Sequence, residues 1–89
     1  MPRISQVKKE RISEQILHFL YGKFPQQLFT VEVAREIARD EEFVKSLLFD
    51  LEKKGLVVRI KKNKEGFVYV RRLRWRISNK AHKIYKTHQ

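Results

Sequence analysis

The sequence predicts one α+β domain spanning residues 1–89: a three-helix core, then a basic β-hairpin, then a closing helix. Three observations carry that prediction. Apolar residues recur at helical spacing in three segments before residue 55 and alternate after it. Residues that cap helices or make turns fall between these segments. With 89 residues and no cysteine, the chain can build one modest core and no disulfide framework.

Residues 6–21 predict the first helix, with Ile12, Ile16, Phe19 and Leu20 on one face. Gly22 is placed to end it, and Pro25 bars its continuation. Residues 23–30 form a connection in which Leu28 and Phe29 can make a short strand. Thr30 is the expected N-cap of a short second helix, whose buried face would be Val33, Ala34, Ile37 and Ala38. Arg39 and Asp40 make a tight link, and Asp40 is a second expected N-cap. A third helix follows over 41–54. Glu41 and Glu42 suit its positive end, Lys53 and Lys54 its negative end, and Gly55 sits where a terminating glycine belongs.

Residues 56–62 are rich in branched side chains and predict a strand. Asn63, Lys64, Glu65 and Gly66 make a turn, and residues 67–77 alternate as the return strand. Phe67, Tyr69, Leu73, Trp75 and Ile77 share one face with Arg71 as an exception; Val68, Val70, Arg72, Arg74 and Arg76 share the other. Ser78 or Asn79 can cap a last helix with an apolar stripe of Ala81, Ile84 and Tyr85.

Two helices joined by a tight link and followed by a basic hairpin resemble the winged helix-turn-helix family. The most specific stretch is 44–57, where Val44, Leu48 and Leu51 run into Glu52-Lys53-Lys54-Gly55-Leu56-Val57. It is similar to that family's recognition helix leading into the wing. Trp75-Arg76-Ile77-Ser78-Asn79-Lys80 resembles the strand-to-helix step after the wing in archaeal and bacterial regulators. The resemblance covers about residues 6–87. It implies a winged helix-turn-helix fold with a basic β-hairpin wing, and a DNA-binding role as a transcription regulator or chromatin-associated factor.

Charge points to the same class of partner. Residues 1–50 hold eight Lys or Arg and eight Asp or Glu, whereas residues 51–89 hold thirteen against two, so the whole net charge of +11 lies in the second segment. A charge-rich surface accounts for many charges but not for a segment of one sign; a polyanionic partner does. Arg59, Lys61, Lys62 and Lys64 lead into the hairpin turn, and Arg71, Arg72, Arg74 and Arg76 lie on the return strand. Alternation spaces Arg72, Arg74 and Arg76 about 6.8 Å apart, near the phosphate repeat along one extended strand. Lys80, Lys83 and Lys86 continue the basic surface on the last helix.

The third helix offers less. The resemblance implies that it enters a major groove, with Lys45 and Ser46 giving limited base readout. Glu42, Phe49 and Lys53 share that outward face, and acids there oppose phosphate. Phe49 can touch a thymine methyl, join a protein interface, or fold under the hairpin or the last helix and complete the core. Tyr69 and Trp75 can stack on bases or fill the core.

No catalytic or metal constellation is apparent. His18, His82 and His88 lack metal-ligand spacing, and the three glycines form no phosphate-binding loop. The expectation is a non-enzyme without cofactor, whose partner is nucleic acid, DNA ahead of RNA, and not a membrane; a homodimer is compatible with it. No stretch approaches the roughly 18 apolar residues of a membrane span, and the start, Met1-Pro2-Arg3-Ile4-Ser5, lacks the apolar core of a signal peptide, so a cytoplasmic location is expected. The alternatives are an RNA-binding, ribosome-associated module and a protein-interaction module contacting its partner through Phe43 and Phe49.

Overall fold

Helix α1 forms over Gln6–Lys23 because Ser5 caps its start and an apolar stripe holds its length against the core. The Ser5 hydroxyl accepts from the Lys8 amide at 3.2 Å, while Ile12, Ile16, Leu17 and Leu20 are buried. The computed structural model, which describes residues 5–60 and 73–87, carries this helix past the expected stop. Gly22 lies inside it and Phe24 is its C-cap, so Pro25 sets the end and Gly22 does not.

Strand β1, Leu28–Phe29, runs directly into α2, Thr30–Ile37. Thr30 is not the N-cap: that position belongs to Phe29, in extended conformation, whose amide donates to the Glu32 carboxylate at 2.9 Å. Thr30 is the first helical residue and its hydroxyl is used elsewhere, by Trp75. Val33 and Ala34 are buried as expected, but Ala38 is exposed. It adopts φ +60° just past the helix. There the Arg39 amide donates to the Ala34 carbonyl at 3.1 Å and the Ala38 amide to the Arg35 carbonyl at 3.3 Å, the paired bonds of a left-handed helix terminus.

Asp40 caps α3, Glu41–Lys53, accepting from the Phe43 amide at 3.2 Å. Val44, Leu47, Leu48 and Leu51 form its buried face against α1, α2 and the sheet. Gly55, at φ +76°, closes it by the same paired bonds: Leu56 amide to Leu51 carbonyl at 3.0 Å and Gly55 amide to Glu52 carbonyl at 2.9 Å. Here the residue type and the left-handed conformation agree.

Strands β2, Val57–Ile60, and β3, Arg74–Ile77, pair antiparallel, with Val57 opposite Ile77 and Arg59 opposite Trp75. β1 joins the far side of β3, with Leu28 opposite Trp75, so the order is β1-β3-β2 and β3 is central. One sheet face carries Leu28, Val57, Trp75 and Ile77 into the core. Trp75 is wholly buried, and its indole donates to the Thr30 hydroxyl at 2.8 Å, tying the central strand to the start of α2. Of its two sequence readings, the core-filling one holds. The expected basic wing residues Lys61, Lys62, Lys64, Arg71 and Arg72, and the aromatic Tyr69, fall outside the described residues.

Ser78 caps the last helix, α4, Asn79–Thr87. Its hydroxyl accepts from the Ala81 amide at 3.0 Å and donates to the Gly55 carbonyl at 2.9 Å, so it also pins the helix to the α3–β2 corner. Ala81 is buried and Tyr85 half-buried, but Ile84, expected in the same stripe, is 46% exposed. The stripe on so short a helix is narrow, and Ile84 falls beside it. No helix among the described residues is long and apolar enough to cross a membrane.

Candidate nucleic-acid interface

The sheet sorts the basic residues onto two faces. Arg59 stands opposite Trp75 and so lies on the face turned toward α3. Its Nε is 3.2 Å from the Glu52 carboxylate, and its guanidinium sits over the Phe49 ring at 5.0 Å. Phe49 in turn meets Trp75 edge-to-face, with ring centroids 5.5 Å apart. Of its three sequence readings, Phe49 takes the one beneath the hairpin, and Phe43 is likewise half-buried against the core. The stack Trp75–Phe49–Arg59 fixes the base of the hairpin to α3. Glu52 is a partner that the sequence does not reveal: it is one of two acids after residue 50, and a cross-element ion pair leaves no periodic trace.

Arg74 and Arg76 occupy the outward face, two residues apart as alternation requires. The Arg74 guanidinium lies over the Phe29 ring at 4.7 Å. Arg76 donates from Nη1 to the Ile77 carbonyl at 2.9 Å and to Asn79 Oδ1 at 3.3 Å. These contacts hold both half-buried side chains in place on that face. Lys80 and Lys83 are exposed on α4. The expected interface cations of the sheet and α4, among the described residues, therefore divide: Arg59 is tied inward, whereas Arg74, Arg76, Lys80 and Lys83 are presented outward.

On α3, Ser46 is exposed but its hydroxyl donates to the Phe43 carbonyl at 2.6 Å, which leaves its oxygen lone pairs as the outward-facing function. Lys45 is half-buried in a shallow groove shared with Arg35 and Val31 of α2, Glu41 and Glu42 of α3, and Leu73. Arg35 does not stand out in the sequence, since the second helix reads there only as a solvated face. It brings a second cation to the end of α3 that holds two exposed carboxylates. That end is chemically mixed: two acceptor-only groups, two cations and an exposed valine. Among the described residues no three His, Cys, Asp or Glu side chains come together as metal ligands would.

No protein-family model matches the sequence, and no curated protein matches it. Solved structures do. The chain is similar to MepR from S. aureus in its complex with DNA, at TM-score 0.72 and 22% identity over 86% of this chain and 59% of that one. It is similar to ZitR from Lactococcus lactis in apo form, at TM-score 0.69 and 20% identity over 90% of this chain and 55% of that one. A further structure of MepR, described as a transcription regulator of the Staphylococcus aureus multidrug efflux pump MepA, aligns at TM-score 0.69 and 22% identity over 85% of this chain and 52% of that one. The chain thus spans between half and three fifths of these proteins. The likeness fixes the fold as a winged helix-turn-helix: α2 and α3 are the helix-turn-helix and the β2–β3 hairpin is the wing.

Proposed function

We propose that this chain binds double-stranded DNA as a winged-helix transcription regulator or chromatin-associated factor, with the wing and α4 gripping phosphate and α3 giving limited base readout. The observation that carries the reading is the placement of the one-signed segment. The fold puts Arg74, Arg76, Lys80 and Lys83 outward on β3 and α4, on either side of the step that leaves the wing. Lys61, Lys62, Lys64, Arg71 and Arg72 belong to the segment joining β2 to β3 and complete the basic run in sequence. Likeness to a regulator solved with DNA supports the same reading. Phosphate contacts supply most of the affinity of such a surface and make it salt-dependent. Two copies on one site would nearly double that grip.

The test is fluorescence anisotropy with labelled duplex DNA and a structured RNA across a salt series. Wild type is compared with a variant carrying Lys61→Ala, Lys62→Ala and Lys64→Ala, and with a Lys8→Ala/Lys9→Ala control from the charge-balanced half. Every phosphate that the variant no longer neutralises should flatten the log–log salt slope by about 0.9. Tight duplex binding with a slope that the wing variant flattens and the control keeps is the expected result. A preference for the RNA at equal salt moves the function to an RNA-binding module. No binding to either nucleic acid at low salt overturns the proposal.

A further inference from the structure

Among the described residues, the cations of the sheet and of the last helix differ in kind. Strands β2 and β3 carry Arg59, Arg74 and Arg76 and no lysine; α4 carries Lys80, Lys83 and Lys86 and no arginine. A phosphate grip that works by charge alone is indifferent to that choice. Each of these arginines also lies over a phenylalanine. The guanidinium carbon is 5.0 Å from the Phe49 ring centroid for Arg59, 4.7 Å from Phe29 for Arg74 and 6.0 Å from Phe24 for Arg76. A guanidinium laid on an aromatic face keeps its N–H donors in its own plane, clear of the ring, so lysine is not a conservative replacement at such a place.

The Arg74 pair is fixed from the backbone up. Phe29 stands directly opposite Arg74 across β1 and β3, and Ile60 stands opposite it across β2 and β3. Directly opposed residues share one sheet face and sit close enough for their side chains to interact. Arg74 therefore rises from the central strand half-buried between two apolar neighbours. Phe29 is held in turn at its backbone, where its amide donates to the Glu32 carboxylate at 2.9 Å. Phe29 also lines the groove at the end of α3 that holds Lys45 and Glu42, so the pair stands beside the part of α3 that the proposed function turns toward DNA. Arg59, on the inward face, is instead engaged by Glu52.

We propose that Phe29 is a positioning residue for the nucleic-acid grip: its ring seats the Arg74 guanidinium before DNA arrives, so that the planar fork of donors meets one phosphate and the position requires arginine rather than any cation. This role rests on the proposed DNA binding and adds to that site a residue without charge. An arginine free in solvent loses rotamer freedom when it grips a phosphate; one already seated on a ring has lost part of it on folding. Two parallel donors on one phosphate add direction to charge. Removing the ring weakens the contact and leaves the number of neutralised phosphates unchanged, which separates positioning from simple loss of charge.

The test is an anisotropy titration of a labelled duplex by the full chain across a salt series. Wild type is compared with Phe29→Leu, Phe29→Tyr, Arg74→Lys, Arg74→Ala and the double variant Phe29→Leu with Arg74→Lys, each checked by circular dichroism and thermal melting. Phe29→Leu and Arg74→Lys should each weaken binding about twofold to fivefold at an unchanged log–log salt slope. Arg74→Ala, which removes the charge, should flatten that slope by about 0.9. Phe29→Tyr keeps the ring and should bind as wild type does. In the double variant the two losses should not multiply, because without the guanidinium the ring has nothing to seat. Wild-type affinity in Phe29→Leu overturns the positioning role and leaves DNA binding standing. So do losses that multiply in the double variant, since the ring would then serve only the fold. Absence of duplex binding by wild type overturns both.

Discussion

Trp75 and Thr30 show how much one pair of side chains settles. The indole is 0% exposed, and the Thr30 hydroxyl, in a residue itself 6% exposed, accepts its N–H at 2.8 Å. Water cannot replace that acceptor. Thr30→Val keeps the shape and removes the oxygen, leaving a buried donor without a partner, at a cost of about 1–3 kcal/mol. Urea denaturation followed by the fluorescence of Trp75, the chain's one tryptophan, measures it directly. A cost below about 0.5 kcal/mol would mean that the indole finds another acceptor. The sequence could not have paired these residues. Thr30 precedes a helical pattern and looks like a cap, and its true partner is 45 residues away. Cap rules are local, and here a tertiary bond engages the hydroxyl instead, while the helix starts one residue earlier with the Phe29 amide donating to the Glu32 carboxylate.

At the scale of the element, helix ends were legible where the residue type itself encodes the conformation. Gly55 and Asp40 stand where their chemistry requires, and Ser78 was one of two expected caps for α4. Ala38 was not legible as a terminus, because nothing about alanine announces a positive φ. It bears the strain of a left-handed position that glycine occupies freely. Ala38→Gly should therefore stabilise the domain by about 0.5–1 kcal/mol, read as a raised urea midpoint at unchanged m-value. An unchanged or lowered midpoint would mean that the added unfolded-state freedom of glycine offsets the relief. Ser78→Ala should act in the opposite direction and more strongly. It removes the α4 cap and also the bond to the Gly55 carbonyl, together about 1–3 kcal/mol. Amide hydrogen exchange should report faster exchange in α4 than in α1, because the bonds removed belong to the α4 start and to the corner that holds it. The basic hairpin was legible as charge and as alternation, and Arg74 and Arg76 do share the outward face. Arg59 was legible as a charge but not as one already engaged by Glu52 and Phe49.

At the scale of the whole molecule, the proposed DNA binding would bring the acidic tip of α3 and the basic segment between β2 and β3 to one duplex. Glu41 and Glu42 are exposed at the end of α3 that a winged helix directs toward nucleic acid, and both suit the positive end of the helix dipole. Each carboxylate at roughly 8 Å from a phosphate opposes binding by about 0.5 kcal/mol in water. Removing both with Glu41→Gln and Glu42→Gln should then tighten binding to a mixed-sequence duplex about fivefold at low salt. The gain should fade toward 1 M salt, where the screening length is about 3 Å. Circular dichroism must first show that α3 persists, since its dipole partners have gone. If instead the substitutions weaken binding at cytosine-bearing sites and tighten it at others, the carboxylates accept from cytosine amines and act as readers. If neither changes at any salt, the tip of α3 does not approach the duplex, and docking belongs to the wing and α4 alone.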